Sequence, residues 1–203
     1  MTEQLSIQAR RTALIAMDFQ RDIVGEDGAF AALFHAEVAR NKIIPTAAKV
    51  LHHARAAGMK VVYGRGAFQP GYPELVANIP VLAVVAQYRC LVDGSEGAAI
   101  VAEVAPEDND VVLTHPRVSG FQGTALDVIL RGAAIDTIVL MGVATNITIE
   151  STARAGADLG YRTIVVADAC STISEVAHAA SLESLAMLGE IIKSDDLHDL
   201  MPR

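Results

Sequence analysis

The sequence predicts an α/β fold: a doubly wound, three-layer α/β/α domain on an open, mostly parallel sheet of six strands. Three observations predict it. Six short apolar runs rich in β-branched residues recur along the 203 residues, with amphipathic stretches or glycine-marked loops between them. The runs are nearly continuous in apolar residues rather than alternating, as strands covered by helices on both faces are. Strand, helix and strand in succession imply right-handed crossovers, which keep such a sheet parallel.

The first run, 12–18 (TALIAMD), ends on Asp18. An amphipathic helix over 45–57 (PTAAKVLHHARAA) stops at Gly58, the residue type favoured just past a helix, and feeds the second run, 60–64 (KVVYG). From 64 to 109 the chain reads as irregular. RGAFQPGYPEL within it has the proline and glycine content of a long surface loop, which in a compact domain is usually a lid or an interface element. The third run is 110–114 (DVVLT), followed by a helix over 124–131 that stops before Gly132. The fourth, 137–141 (TIVLM), leads to a helix over 146–159 ending before Gly160, and the fifth is 163–168 (TIVVAD). Ser174 is the expected N-cap of a helix over 174–188 closing at Gly189, and a weaker sixth run occupies 190–194 (EIIKS). No repeat, low-complexity tract or linker interrupts this order, so residues 1–203 are expected to form a single domain.

Composition narrows the function classes. Lys plus Arg number 16 against 24 Asp plus Glu, a formal charge of −8, and no basic patch appears, so neither nucleic acid nor an anionic membrane surface is an expected partner. The 52% hydrophobic content excludes a disordered chain. Cys90 and Cys170 are too few for a disulfide framework and lack metal-ligand spacing, and no apolar run spans a membrane. A cytoplasmic location with both thiols reduced is expected.

Ligands of open α/β sheets bind beyond the carboxyl ends of the strands, so polar residues at those ends are the site candidates. Asp18 ends the first run, followed by Phe19 and Gln20; His115 follows the third, ahead of Pro116 and Arg117. Gly142, Ala144, Thr145 and Asn146 follow the fourth, and Asp168 ends the fifth. A carboxylate, an imidazole and a hydroxyl-rich helix start at one edge make a candidate acid–base site. Each residue also has a plainer reading. Asp18 could cap a turn, and His115 could be a solvated loop histidine. Asp168 is expected to shape a turn with Ala169 and Cys170, and Cys170 to be a small buried filler rather than a nucleophile. His52 and His53 lie on the helix over 45–57 outside any metal-ligand spacing, and no phosphate loop or dinucleotide fingerprint appears, so no metal and no cofactor are expected.

The segments ALIAMDFQ, RVSGFQGTALDVILRGAAIDTIVLM and GVATNITIESTARAGADLGYRTIVVADAC together resemble the isochorismatase-like hydrolases, a family of isochorismatases, nicotinamidases and N-carbamoyl amide hydrolases. The likeness runs from about Thr12 to the C-terminal HAASLESLAMLGEIIKSDDL. It implies a six-stranded parallel sheet flanked by helices, a small-molecule substrate, and assembly as a homodimer or homotetramer. The family's strand-end aspartate falls on Asp18. Its lysine falls on His115 and its nucleophilic cysteine on Thr148, so two of three usual catalytic side chains are replaced. Arg117, Phe121, Thr124, Gly142, Thr145 and Asn146 keep the family types. The resemblance also implies a non-proline cis peptide near Val143–Ala144, presenting backbone N–H groups as an oxyanion hole. The D-x-H-type ligand set of the metal-dependent nicotinamidases is absent from the sequence.

Three functional expectations follow. In the first, Asp18 is the general acid or base toward water or a vinyl ether, without a cysteine nucleophile; His115 assists, and N–H groups around Ala144–Thr148 hold developing charge. Isochorismatases within the family likewise rely on the aspartate. In the second, Thr148, His115 and Asp18 form a triad-like set in which His115 takes the hydroxyl proton and Asp18 orients the ring. In the third, the chain is a catalytically silent binding or assembly protein. Gln20, Phe68, Tyr72 and Glu74 are expected near the site. Arg117 could pair a substrate carboxylate or, the slightly favoured reading, an internal acid.

Overall fold

The computed structural model describes residues 6–200. Its six strands are β1 (Thr12–Met17), β2 (Lys60–Gly66), β3 (Val111–His115), β4 (Thr137–Val143), β5 (Arg162–Ser171) and β6 (Glu190–Ile192). They form one sheet in the order β3-β2-β1-β4-β5-β6, all pairs parallel. Strands β1 and β4 are buried along their whole length, which explains why TALIAM and TIVLMGV carry apolar residues on both faces. The edge strand β3 is different: Val112 and Thr114 face solvent, so its run of apolar letters is only half covered.

The helices are α1 (Arg21–Val24), α2 (Ala31–Arg40), α3 (Ile43–Ala56), α4 (Pro80–Tyr88), α5 (Leu126–Gly132), α6 (Glu150–Asp158), α7 (Glu175–Leu185) and α8 (Asp196–Asp199). Right-handed crossovers put α3, between β1 and β2, on one face, and α6 and α7, from the second half of the sheet, on the other. On the first, α2, α3 and α8 pack together; on the second, α6 packs on α7 and β5. None of the described helices is long and apolar enough to cross a membrane.

Three parts of the sequence reading change. Residues 64–109 are not irregular throughout: Gly64–Gly66 continue β2, and 80–88 form α4 with Pro80 in its first turn, where the missing N–H costs nothing. The segment that follows is pinned to the start of the chain, with Val101 N–H donating to the Phe19 carbonyl and Asp22 N–H to that of Gly97. Asp168 shapes no turn. It lies inside β5, which runs on to Ser171 across a register shift opposite Leu140–Gly142, and its carboxylate accepts from the Ser194 N–H and hydroxyl, each at 2.7 Å. The helix expected over 146–159 is split into a π-turn, Thr145–Ile149, and α6.

The sheet order reverses between β1 and β4, the two strands whose ends carry Asp18 and residues 142–148. That crevice is where such sheets bind ligands. The strands close on each other there. Gly142 has φ +140, and a Cβ on it would strike the Met17 carbonyl oxygen, so only glycine lets β4 run this close to β1 at its end.

Candidate active site

Asp18 steps out of β1 with φ +62, a left-handed conformation that a short polar side chain tolerates better than most. The step turns its carboxylate across the strand ends, where it is 4% exposed. Oδ1 accepts from the Gly66 N–H at 3.1 Å and from His115 Nε2 at 2.8 Å; Oδ2 accepts from the Thr148 hydroxyl at 2.8 Å. Strands β2 and β3 and the π-turn therefore deliver one group each to the carboxylate that follows β1.

The histidine's protonation follows from its partners. His115 Nδ1 lies 2.7 Å from the Arg117 carbonyl oxygen, which can only accept, so Nδ1 carries a hydrogen. Nε2 faces a carboxylate oxygen, and that contact requires a proton between them. Burial alone would depress the His115 pKa. The charge and hydrogen bond of Asp18, with the Arg117 carbonyl, outweigh it and hold the imidazole above its ordinary value. The consistent state is an imidazolium on an ionised Asp18, a buried pair with its polar atoms satisfied.

Thr148 is buried because the wider π-turn carries it inward, the kind of insertion that recurs at functional sites. Just ahead of it the Val143–Ala144 peptide is cis. Asp18, His115 and Thr148 line a cavity of about 60 Å³ with Val143, Ala144 and Ile147 on one side. Its other wall comes from Phe30 just before α2, Phe34 of α2, Phe68 after β2, and Val81, Leu82 and Val85 of α4.

The structure thus brings together Asp18, His115, Thr148, Val143 and Ala144, with Arg117 and Phe68 on the wall. It does not bring the remaining sequence candidates into the cavity. Gln20 is wholly buried, with its amide spent on backbone: Nε2 donates to the Gly66 and Ala98 carbonyls, and Oε1 accepts from the Gly66 N–H. Phe121 stacks on Tyr161 with centroids 5.8 Å apart, beyond the cavity. Thr145 is buried with its hydroxyl 2.8 Å from His178 Nδ1, and Asn146 is exposed and accepts from Thr172. Tyr72 donates to the Cys90 carbonyl, and Glu74 accepts from the Gln69 N–H. Arg117 pairs no internal acid; it donates to the Val76 carbonyl and Asn78 Oδ1, each at 3.0 Å. Sequence reasoning missed the α2 and α4 wall. Phe30, Phe34 and Val38 at four-residue spacing were the available signal for α2.

The geometry also reorders the triad-like set. Thr148 hydrogen-bonds to Asp18 and not to His115, so the carboxylate is the central member and the imidazole its cationic partner. The two cysteines stand apart from this chemistry: burial pushes the Cys90 thiol up to about 11 and the Cys170 thiol up to about 12. Among the described residues no cluster of His, Cys, Asp and Glu is arranged to hold a metal.

Comparison with known proteins agrees with this architecture. The isochorismatase domain family model matches residues 12–196. The chain is 34% identical over 182 residues to the isochorismatase family protein YwoC of Bacillus subtilis (strain 168), covering 90% of this chain and 89% of that protein. It is 34% identical over 179 residues to the ureidoacrylate amidohydrolase RutB of Methylorubrum extorquens, covering 82% of this chain and 72% of that one. The solved cysteine hydrolase from Pseudomonas syringae pv. phaseolicola 1448A superposes with a TM-score of 0.86 at 26% identity, covering 98% of each chain. N-carbamoylsarcosine amidase from Thermoplasma acidophilum superposes at 0.75 with 29% identity, covering 91% of this chain and 97% of that one. With the family match spanning nearly the whole described chain, the chain belongs to the isochorismatase family of hydrolases.

Proposed function

We propose that this hydrolase cleaves the acyl–nitrogen bond of a small amide or carbamoyl compound, with Asp18 as general acid/base and no cysteine nucleophile. One observation carries the reading: the Asp18 carboxylate sits at the cavity floor with a hydroxyl on one oxygen and a protonated imidazole on the other. The amidohydrolase names among the relatives favour an amide over a vinyl ether.

The division of labour follows from which oxygen is free to act. Oδ1 is occupied by His115 and Gly66, which fix the carboxylate; Oδ2 has only the Thr148 hydroxyl. Thr148 Oγ attacks the substrate carbonyl carbon and its proton passes to Oδ2. Asp18 then returns that proton to the departing nitrogen as the carbon–nitrogen bond breaks, leaving an acyl ester on Thr148. Water, deprotonated by the same oxygen, cleaves the ester and restores the hydroxyl. A threonine hydroxyl is a far weaker acid than a thiol, so the base must be in contact before attack, as it is here. Backbone N–H groups of the Ala144–Thr148 turn hold the negative charge on the carbonyl oxygen.

The test is ammonia release from amide and carbamoyl panels, and release of the carbonyl product from a vinyl-ether panel, by wild type, Thr148→Ser and Thr148→Ala. Serine is expected to keep turnover within about tenfold, and alanine to lose on the order of 100-fold or more. Full activity in Thr148→Ala would assign the attack to water on Asp18. No turnover of any panel member would leave a silent binding protein. We also propose that the chain works as a homodimer or homotetramer: the large apolar residues Val176 and Met187 are 80% and 85% exposed.

A further inference from the structure

We propose that His178 of α7 is a positioning residue for the reaction: through the Thr145 hydroxyl it fixes the π-turn that carries Thr148 and the charge-holding N–H groups. This rests on the hydrolytic reading of the Asp18 site and adds to it a residue from behind the turn, one that does not line the cavity.

Thr145 opens the turn three residues ahead of Thr148 and is wholly buried. Side chains tie this turn from three directions. The Thr148 hydroxyl reaches Asp18 Oδ2 at 2.8 Å, the Thr172 hydroxyl donates to Asn146 Oδ1 at 2.6 Å, and the Thr145 hydroxyl meets His178 Nδ1 at 2.8 Å. The first is the reacting contact itself. The second is replaceable, because Asn146 is exposed and water can take the place of Thr172. The third has no such substitute. Deprived of His178, the Thr145 hydroxyl is a buried dipole without a partner, and the turn relieves it only by rotating. Rotation swings the Thr148 hydroxyl off Asp18 and carries the neighbouring N–H groups with it.

Helix α7 is built to hold this contact. Ser174 caps it by accepting from the Ala177 N–H, and the helix packs on the turn. Ser181, three residues beyond His178 on the same face, lies 3.3 Å from the Thr145 carbonyl and 2.6 Å from Glu150 Oε2. Its single hydrogen goes to the nearer carboxylate, so it does not duplicate the tie. Burial holds the half-buried His178 below its ordinary pKa, with the Glu175 charge opposing, which keeps the ring neutral near pH 7. A neutral ring nitrogen can then donate to the Thr145 hydroxyl or accept from it.

The experiment measures kcat and KM for ammonia release from butyramide and N-carbamoylglycine by the full chain and its His178→Ala, His178→Gln and His178→Asn variants, with melting of each. Asparagine places an amide atom where Nδ1 stands, whereas the longer glutamine places its own where Nε2 stands. Alanine and glutamine are expected to lower kcat by about 10–100-fold with KM within about threefold, and asparagine to stay within about threefold of wild type. A merely structural role would give another order, since asparagine is a poorer helix former than alanine and glutamine and would melt α7 first. Thr145→Val, which removes the hydroxyl and keeps the shape, is expected to match His178→Ala, and the double variant to be no slower than either. Should the alanine variant not fold, glutamine and Thr145→Val carry the comparison. Asparagine no faster than alanine or glutamine, or Thr145→Val within about twofold of wild type, overturns the inference and leaves the roles of Asp18 and Thr148 standing. A wild-type chain that releases ammonia from no amide or carbamoyl compound overturns the hydrolytic reading, and this inference with it.

Discussion

Replacing Asp18 by asparagine isolates the proposed base with the least damage to the fold. The backbone at this position has φ +62, and asparagine enters that region readily, whereas alanine would add about 1 kcal/mol of strain. The asparagine Oδ1 can still accept from the Gly66 N–H, and its amide can donate to the Thr148 oxygen in place of the bond it now receives. What is lost is the charge and the base. His115 keeps its Nδ1 hydrogen on the Arg117 carbonyl but loses its counter-ion at Nε2, at a cost of about 1–3 kcal/mol. For a domain of this size that lowers the melting temperature by roughly 2–12 °C. Turnover is expected to fall by about 10²–10⁴, the usual share of a positioned general base. Circular dichroism melts and ammonia release on one preparation separate the two effects. A variant that keeps more than a tenth of wild-type turnover would refute Asp18 as the base.

Other expectations follow from the same geometry. Because His115 has its pKa raised in the folded chain, its pairing stabilises fully below the ordinary value of about 6.5 and is lost as pH rises through the folded value. The stability gap between wild type and His115→Gln should therefore shrink as melting is followed from neutral into alkaline pH, with turnover declining on the same limb. Buried thiols with pKa values near 11 and 12 should resist alkylation, so iodoacetamide at neutral pH is expected to leave activity intact, which sets this chain apart from a thiol enzyme. Asp168→Ala removes two bonds that hold Ser194, two residues past β6, and should cost about 1.5–3 kcal/mol by denaturant titration, with kcat unchanged.

Much of this was legible in the sequence, for reasons that particular residues make plain. The runs of β1 and β4 give themselves away because strands buried on both faces are apolar nearly throughout, and Asp18 and His115 stand out as polar residues at the ends of the first and third runs. Helix α4 escaped because PVLAVVAQY is apolar nearly throughout and shows no 3.6-residue contrast. Asp168 misled because a carboxylate after TIVVA usually ends a strand; here the register shift carries β5 three residues further and the serine after β6 absorbs the charge. Gln20, Phe121 and Asn146 lie at the right sequence positions, but which way each points depends on strand pleat and on the π-turn, and no local pattern in the letters reports either.

Gln20 has a consequence that reaches beyond its own contacts. Its carboxamide joins the strand that follows the cavity, the segment returning from α4, and the N–H that Asp18 also receives, and it does so without any ionisable atom. Acid or alkali therefore leaves this brace as it was. Whatever a change of solution does to the crevice must act through the charged couple resting on that brace, so the scaffold stays fixed while only the proton inventory above it varies.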